Sequence, residues 1–176
     1  MLLIVFITCG IASMGIYNIV PLFLVKEKGL AMGAANTLFG ISRIGGFLAM
    51  ILAGWMLDRF NAHKIFMVIV FVTGLSTVGT ALADNYHLLI TMLVIQATFS
   101  VVFFPVGLTV VSRITTQRER GIFTGIAMGV AGIAGPGISP VILGAVADAF
   151  SFAIGILVVG IVTTISTLCI KFMDPD

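Results

Sequence analysis

The chain has 176 residues, of which 60% are hydrophobic and 9% charged, with a formal net charge of +2; a water-soluble domain carries roughly a quarter charged residues. This composition excludes a soluble enzyme and a nucleic-acid binder and sets the chain in a bilayer, with membrane lipid as its surroundings. A span needs about 20 mostly apolar residues, and six such runs separated by short charged or turn-forming clusters predict an all-α integral membrane protein, a single six-span domain over residues 1–176.

The first span covers about residues 3–24 and closes at the charged turn Lys26-Glu27-Lys28-Gly29. Nothing basic precedes it and no small-residue cleavage site follows, so it reads as a true span without a leader and not as a removable signal. It carries Ser13 and Tyr17 one turn apart, with Asn18 beside them. The second span, about 32–57, contains Asn36 and Arg43 and stops at Asp58-Arg59. The third, about 65–83, is joined by the turn Asp84-Asn85-Tyr86 to the fourth, about 87–111, where Gln96, Ser100 and Phe103 share one helical face. The basic loop SRITTQRERG leads to a fifth span, about 122–146, rich in Gly and Pro, and the sixth runs over about 150–170. Cys9 and Cys169 fall inside spans and read as small buried apolar residues.

The loops on the side of the termini hold Arg59, Lys64, Arg113, Arg118, Arg120 and Lys171, against Lys26 and Lys28 on the other side. The positive-inside rule then puts both termini in the cytoplasm, across the cell's inner (plasma) membrane.

The loop after the second span reads GWMLDRFNAHK, from Gly54 to Lys64. It resembles the signature loop of the major facilitator superfamily, with Gly54, Asp58, Arg59 and Lys64 on the matching positions and Asn61 where that family has a second Gly. Asn tolerates left-handed backbone better than most residues, which would let the family's turn survive. The Pro21-Leu22-Phe23-Leu24 end of span one followed by Glu27 and Gly29, the Gly/Pro-rich span five and its exit at Gly144 and Asp148 make the chain similar to the second six-span half of such a transporter. The resemblance implies an N-terminal half as partner, a solute moved by alternating access, and a conformational latch formed by Gly54, Asp58, Arg59 and Lys64. In the latch an Asp at one helix end meets the positive N-terminus of another helix, and the contact breaks as helices tilt. The plainer reading of these charges is that they end two spans in water and set topology.

Arg43 lies about 17 Å from the outer end of its span, near the middle of a hydrocarbon core about 30 Å thick. Asn36 falls on nearly the same face, and Gln96 and Ser13 reach similar depth, about 14 and 15 Å from their own span ends. Every carboxylate, Glu27, Asp58, Asp84, Glu119, Asp148, Asp174 and Asp176, sits at a span end, in a loop or in the tail. An intramembrane Arg without an acid is a functional hypothesis by default. Its partner is a bound anion, an acid from a missing half, or carbonyls freed near Pro105, Pro136 or Pro140. The leading reading is a small anionic solute held by Arg43, with Asn36, Gln96, Ser13, Tyr17 and Asn18 lining the cavity; several anion carriers of the resembled family also place an Arg in the matching span. With His63 and His87 at span ends, no proton carrier stands at the midplane, so coupling falls to another half or to anion exchange.

In span five Gly125, Gly129 and Gly135 with Pro136 and Pro140 suit a gating helix, as small residues let backbones approach and prolines free carbonyls. A tightly packed, immobile helix is the alternative. No nucleophile elbow, paired midplane Asp or zinc motif is present, so neither enzymatic activity nor a metal or cofactor is expected. The expected function is half of a secondary transporter. The alternatives are a stand-alone six-span homodimer and a non-transporting assembly or regulatory protein.

Overall fold

A computed structural model of the protein describes residues 1–172; Asp174 and Asp176 lie outside the described residues. Six long helices follow in order: α1 (Leu2–Lys26), α2 (Met32–Arg59), α3 (Ala62–Leu82), α4 (Tyr86–Ile114), α5 (Arg120–Ala149) and α6 (Phe152–Lys171), each long and apolar enough to cross a membrane. Among the described residues there is no strand, as a bilayer requires of a chain that must satisfy its backbone within each segment.

Several helices begin where a side chain caps them. Asn61 accepts a hydrogen bond from the His63 amide at 2.8 Å, Asn85 one from the His87 amide at 2.9 Å, and Ser151 one from the Ile154 amide at 3.1 Å. The first of these caps starts α3 at Ala62, before the apolar run that marks the span in sequence. Asn61 therefore does not supply the left-handed turn expected of it. Its backbone is extended, with φ −65° and ψ 117°, because an N-cap needs that geometry to aim its side chain at the second amide of the helix.

α1 and α3 are the inner helices, with 61% and 56% of their apolar windows buried, whereas α2 has only 17% and α5 28%. Two core layers stack along the bundle. Nearer the termini, Phe6, Phe66 and Phe103 from α1, α3 and α4 meet with ring centroids 5.2–6.4 Å apart. Toward the other end, Ile16, Val20, Phe23, Leu89, Leu93 and Ile156 pack together. Lipid tails are as apolar as these side chains, so burial alone does not hold the helices to one another, and close backbone approach and hydrogen bonds decide. α1 crosses α5 where both carry a π-helical turn, at Ile11–Gly15 and Ile133–Ile138. There a Cβ on Gly135 would come within 2.6 Å of the Gly10 carbonyl oxygen. α3 meets α6 just as closely, a Cβ on Gly74 falling 2.6 Å from the Thr164 amide nitrogen. The hydroxyl of Thr8 bonds that of Ser166 at 3.1 Å, joining α1 to α6.

Helix ends are tied by charge. Glu27, at the end of α1, accepts hydrogen bonds from the amides of Phe152 and Ala153 at the start of α6. Lys28 donates to the Ala83 carbonyl, where α3 ends, at 2.7 Å. An acid thus faces a positive helix end and a base a negative one, each worth about 0.3–1 kcal/mol at an exposed site. At the opposite end of the bundle, His63 bonds the Ile170 carbonyl through Nε2 at 2.7 Å, and Arg113 donates to the Leu57 carbonyl at 3.1 Å.

Gly74→Val should lower the thermal midpoint in detergent, since overpacking of this kind costs about 1–3 kcal/mol and a chain of this size shifts by about 2–4 °C per kcal/mol. Gly125→Ala, whose Cβ meets nothing within 4 Å, should not lower the midpoint, since a helix interior favours Ala over Gly by about 0.5–1 kcal/mol.

Candidate functional site

The site is built around a fault in α2. The helix runs regularly over Met32–Ser42 and again over Ile44–Arg59, and Arg43 stands between the two with φ −88° and ψ −13°. Here the hydrogen bonds tighten to three-residue spacing, Arg43 N–H to the Gly40 carbonyl at 3.2 Å and Gly46 N–H to the Arg43 carbonyl at 3.0 Å. Mid-helix turns of this type often mark hinges.

The half-buried Arg43 guanidinium lies over the ring of Tyr17 on α1, with its carbon 3.6 Å from the ring centroid, and 5.4 Å from the centroid of Phe39 one turn earlier on α2. The contacts described for it are with aromatic rings. A desolvated contact between a cation and a ring is worth about 2 kcal/mol. A guanidinium stacked on a ring keeps its N–H edge for other partners. The Tyr17 hydroxyl shares a hydrogen bond with Ser100 on α4, so Arg43, Tyr17 and Ser100 link α2, α1 and α4 in one chain of contacts.

The remaining polar residues divide by burial. Gln96 is 3% exposed and donates to the Ala12 carbonyl inside the π turn of α1 at 2.8 Å. Ser13, 2% exposed, turns its hydroxyl to the Gly10 carbonyl. Both face the joint between helices and not an open surface. Asn18 is exposed, with its amide on the Met14 carbonyl at 3.2 Å, and Asn36 is exposed two turns before Arg43.

Of the latch candidates, Gly54, Asp58, Arg59 and Lys64 are all exposed. Arg59 lies over the ring of Trp55 at 4.7 Å. Of the gating candidates, Gly135 is buried at the crossing with α1, while Gly125 and Gly129 lie on an open face and Pro136 sits in the π turn. Pro140 stands at the start of the helical segment that follows. Sequence reasoning missed Phe39, although its spacing of four from Arg43 puts the two on one face. It also missed the His63 bond to Ile170 and the caps made by Glu27, whose partners are more than 100 residues away.

The family model described as Major Facilitator Superfamily matches residues 2–176. The chain is 28% identical over 151 residues to the "Probable sulfoacetate transporter SauU" of Cupriavidus necator, covering 86% of this chain and 35% of that protein. It is 28% identical over 119 residues to the "MFS antiporter QDR3" of Candida albicans, covering 68% of this chain and 17% of that protein. The matched region therefore spans about a third or less of the length of these relatives.

Gln96→Leu should destabilise the bundle by about 1–3 kcal/mol, because the Ala12 carbonyl would lose its donor, whereas Asn36→Ala should leave the thermal midpoint unchanged; unfolding of the two variants in detergent checks both.

Proposed function

The chain belongs to the major facilitator superfamily, and on that premise we propose that it forms one six-helix half of a secondary transporter that carries a small organic anion through a central cavity by alternating access. The observation that carries this reading is the Arg43 guanidinium, whose carbon lies 3.6 Å from the Tyr17 ring centroid at the fault in α2. A planar fork of donors matches a carboxylate or sulfonate in two parallel hydrogen bonds. The name of the Cupriavidus relative, a transporter of sulfoacetate, supports the same ligand chemistry.

In this reading Arg43 takes the charge of the solute and Tyr17 fixes its orientation. Asn36 and Asn18, both exposed, line the path, and Gln96 and Ser13 brace the helices behind it. The turn at Arg43 and the π turns of α1 and α5 supply bending points, so that α5, with Gly125, Gly129, Gly135, Pro136 and Pro140, moves against the partner half. Gly54, Asp58, Arg59 and Lys64 form the latch on the cytoplasmic side, where both termini lie in the inner membrane. The largely unburied α2 and α5 are the faces that an N-terminal half covers.

Arg43→Ala and Arg43→Lys in the natively expressed protein should weaken sulfoacetate binding about 10- to 100-fold, the loss of a charge-assisted pair worth about 1.5–3 kcal/mol, with membrane insertion unchanged. Equal binding by wild type and Arg43→Ala would sink the proposal.

A further inference from the structure

A groove of about 650 Å³ opens on the flank of the bundle between α2, α3 and α4, away from Arg43. Its size is within the roughly 300–1,000 Å³ typical of ligand sites. Leu52, Met56, Val68, Ile69, Phe99 and Val102 make its walls, and its polar groups gather at one end, where Arg59, Asn61 and Lys64 form the rim. That end coincides with the turn between α2 and α3 and is flanked by Trp55 and Phe60, exposed at 51% and 56% with ring centroids 6.4 Å apart. Exposed aromatic rings beside cations at a helix end mark headgroup level in a bilayer. Asp58, although adjacent in sequence, is not part of the groove wall.

We propose that this groove binds an anionic phospholipid, with one acyl chain between α2, α3 and α4 and its phosphate on Arg59 and Lys64. The charge pattern selects this occupant. A soluble anion would find two cations but no further polar group along the deep wall except Thr98, and an uncharged lipid would leave the cations unmatched. Basic rims on apolar clefts between spanning helices are a recurrent way of holding anionic headgroups. The Arg59 guanidinium carbon lies 4.7 Å from the Trp55 ring centroid, and a guanidinium stacked on a ring keeps its N–H fork for phosphate oxygens. The groove shares no residue with the contacts around Arg43, and it shares Arg59 and Lys64, but not Asp58, with the proposed latch.

The test is native mass spectrometry of the full protein after exchange into mixed micelles, without solute, using phosphatidylglycerol and phosphatidylcholine of identical chains. Wild type should retain phosphatidylglycerol about 30-fold better, as two surface cations imply. Arg59→Gln/Lys64→Gln should abolish that preference, and Ala49→Phe, which fills the groove, should lower retention of both lipids. Asp58→Asn, which disables the proposed latch, should keep the preference. Equal retention of the two lipids by wild type, a preference surviving in Arg59→Gln/Lys64→Gln or lost in Asp58→Asn, or displacement of the lipid by glycerol phosphate binding equally well alone would each overturn the assignment. Loss of sulfoacetate binding in Arg43→Ala leaves this readout untouched, so the two proposals fail separately.

Discussion

A guanidinium in the middle of an apolar helix must be given a partner, and in this bundle the partner is a ring. The face of Arg43 rests on Tyr17 and near Phe39. Tyr17 is held in turn by Ser100. This satisfies the cation without neutralising it, as a carboxylate would. It also explains the fault in α2, because the tightened turn lies at the residue whose side chain must reach across to α1.

The same economy of charge holds at the bundle ends. The acid and the base of the first turn each meet a helix end of opposite sign, Glu27 on α6 and Lys28 on α3. Across the membrane His63 and Arg113 bond terminal carbonyls of α6 and α2. Backbone groups at helix ends lack intrahelical partners, and long-range side chains supply several of them here. These contacts fasten α1 to α3 and α6 at one end, and α3 to α6 and α4 to α2 at the other, while α2 and α5 remain the least buried helices.

Close approach divides the glycines in the same way. Gly10 and Gly135 bring α1 and α5 into contact at their π turns, whereas a Cβ on Gly125 or Gly129 of α5 would meet no described residue within 4 Å. Spacing alone marks all of the α5 glycines as packing residues. Which of them pack inside the chain depends on which face of α5 the crossing with α1 selects.

Six apolar helices and membership of a transporter family were legible in the sequence, because a bilayer forces long uncharged runs and because the DR loop has few other uses. The singularity of Arg43 was legible too, since no other charged residue lies in the interior of a predicted span. The tertiary structure decided what touches it. A stacked ring carries no charge signal, and Tyr17 lies 26 positions away on another helix. It likewise decided the partners of Gln96 and Ser13, the carbonyls of Ala12 and Gly10, because a helical wheel fixes which residues share a face but not which neighbour that face meets. The apolar groove under Arg59 and Lys64 could not be read from the chain for the same reason: three separate helices make its walls, and only their packing brings those walls together.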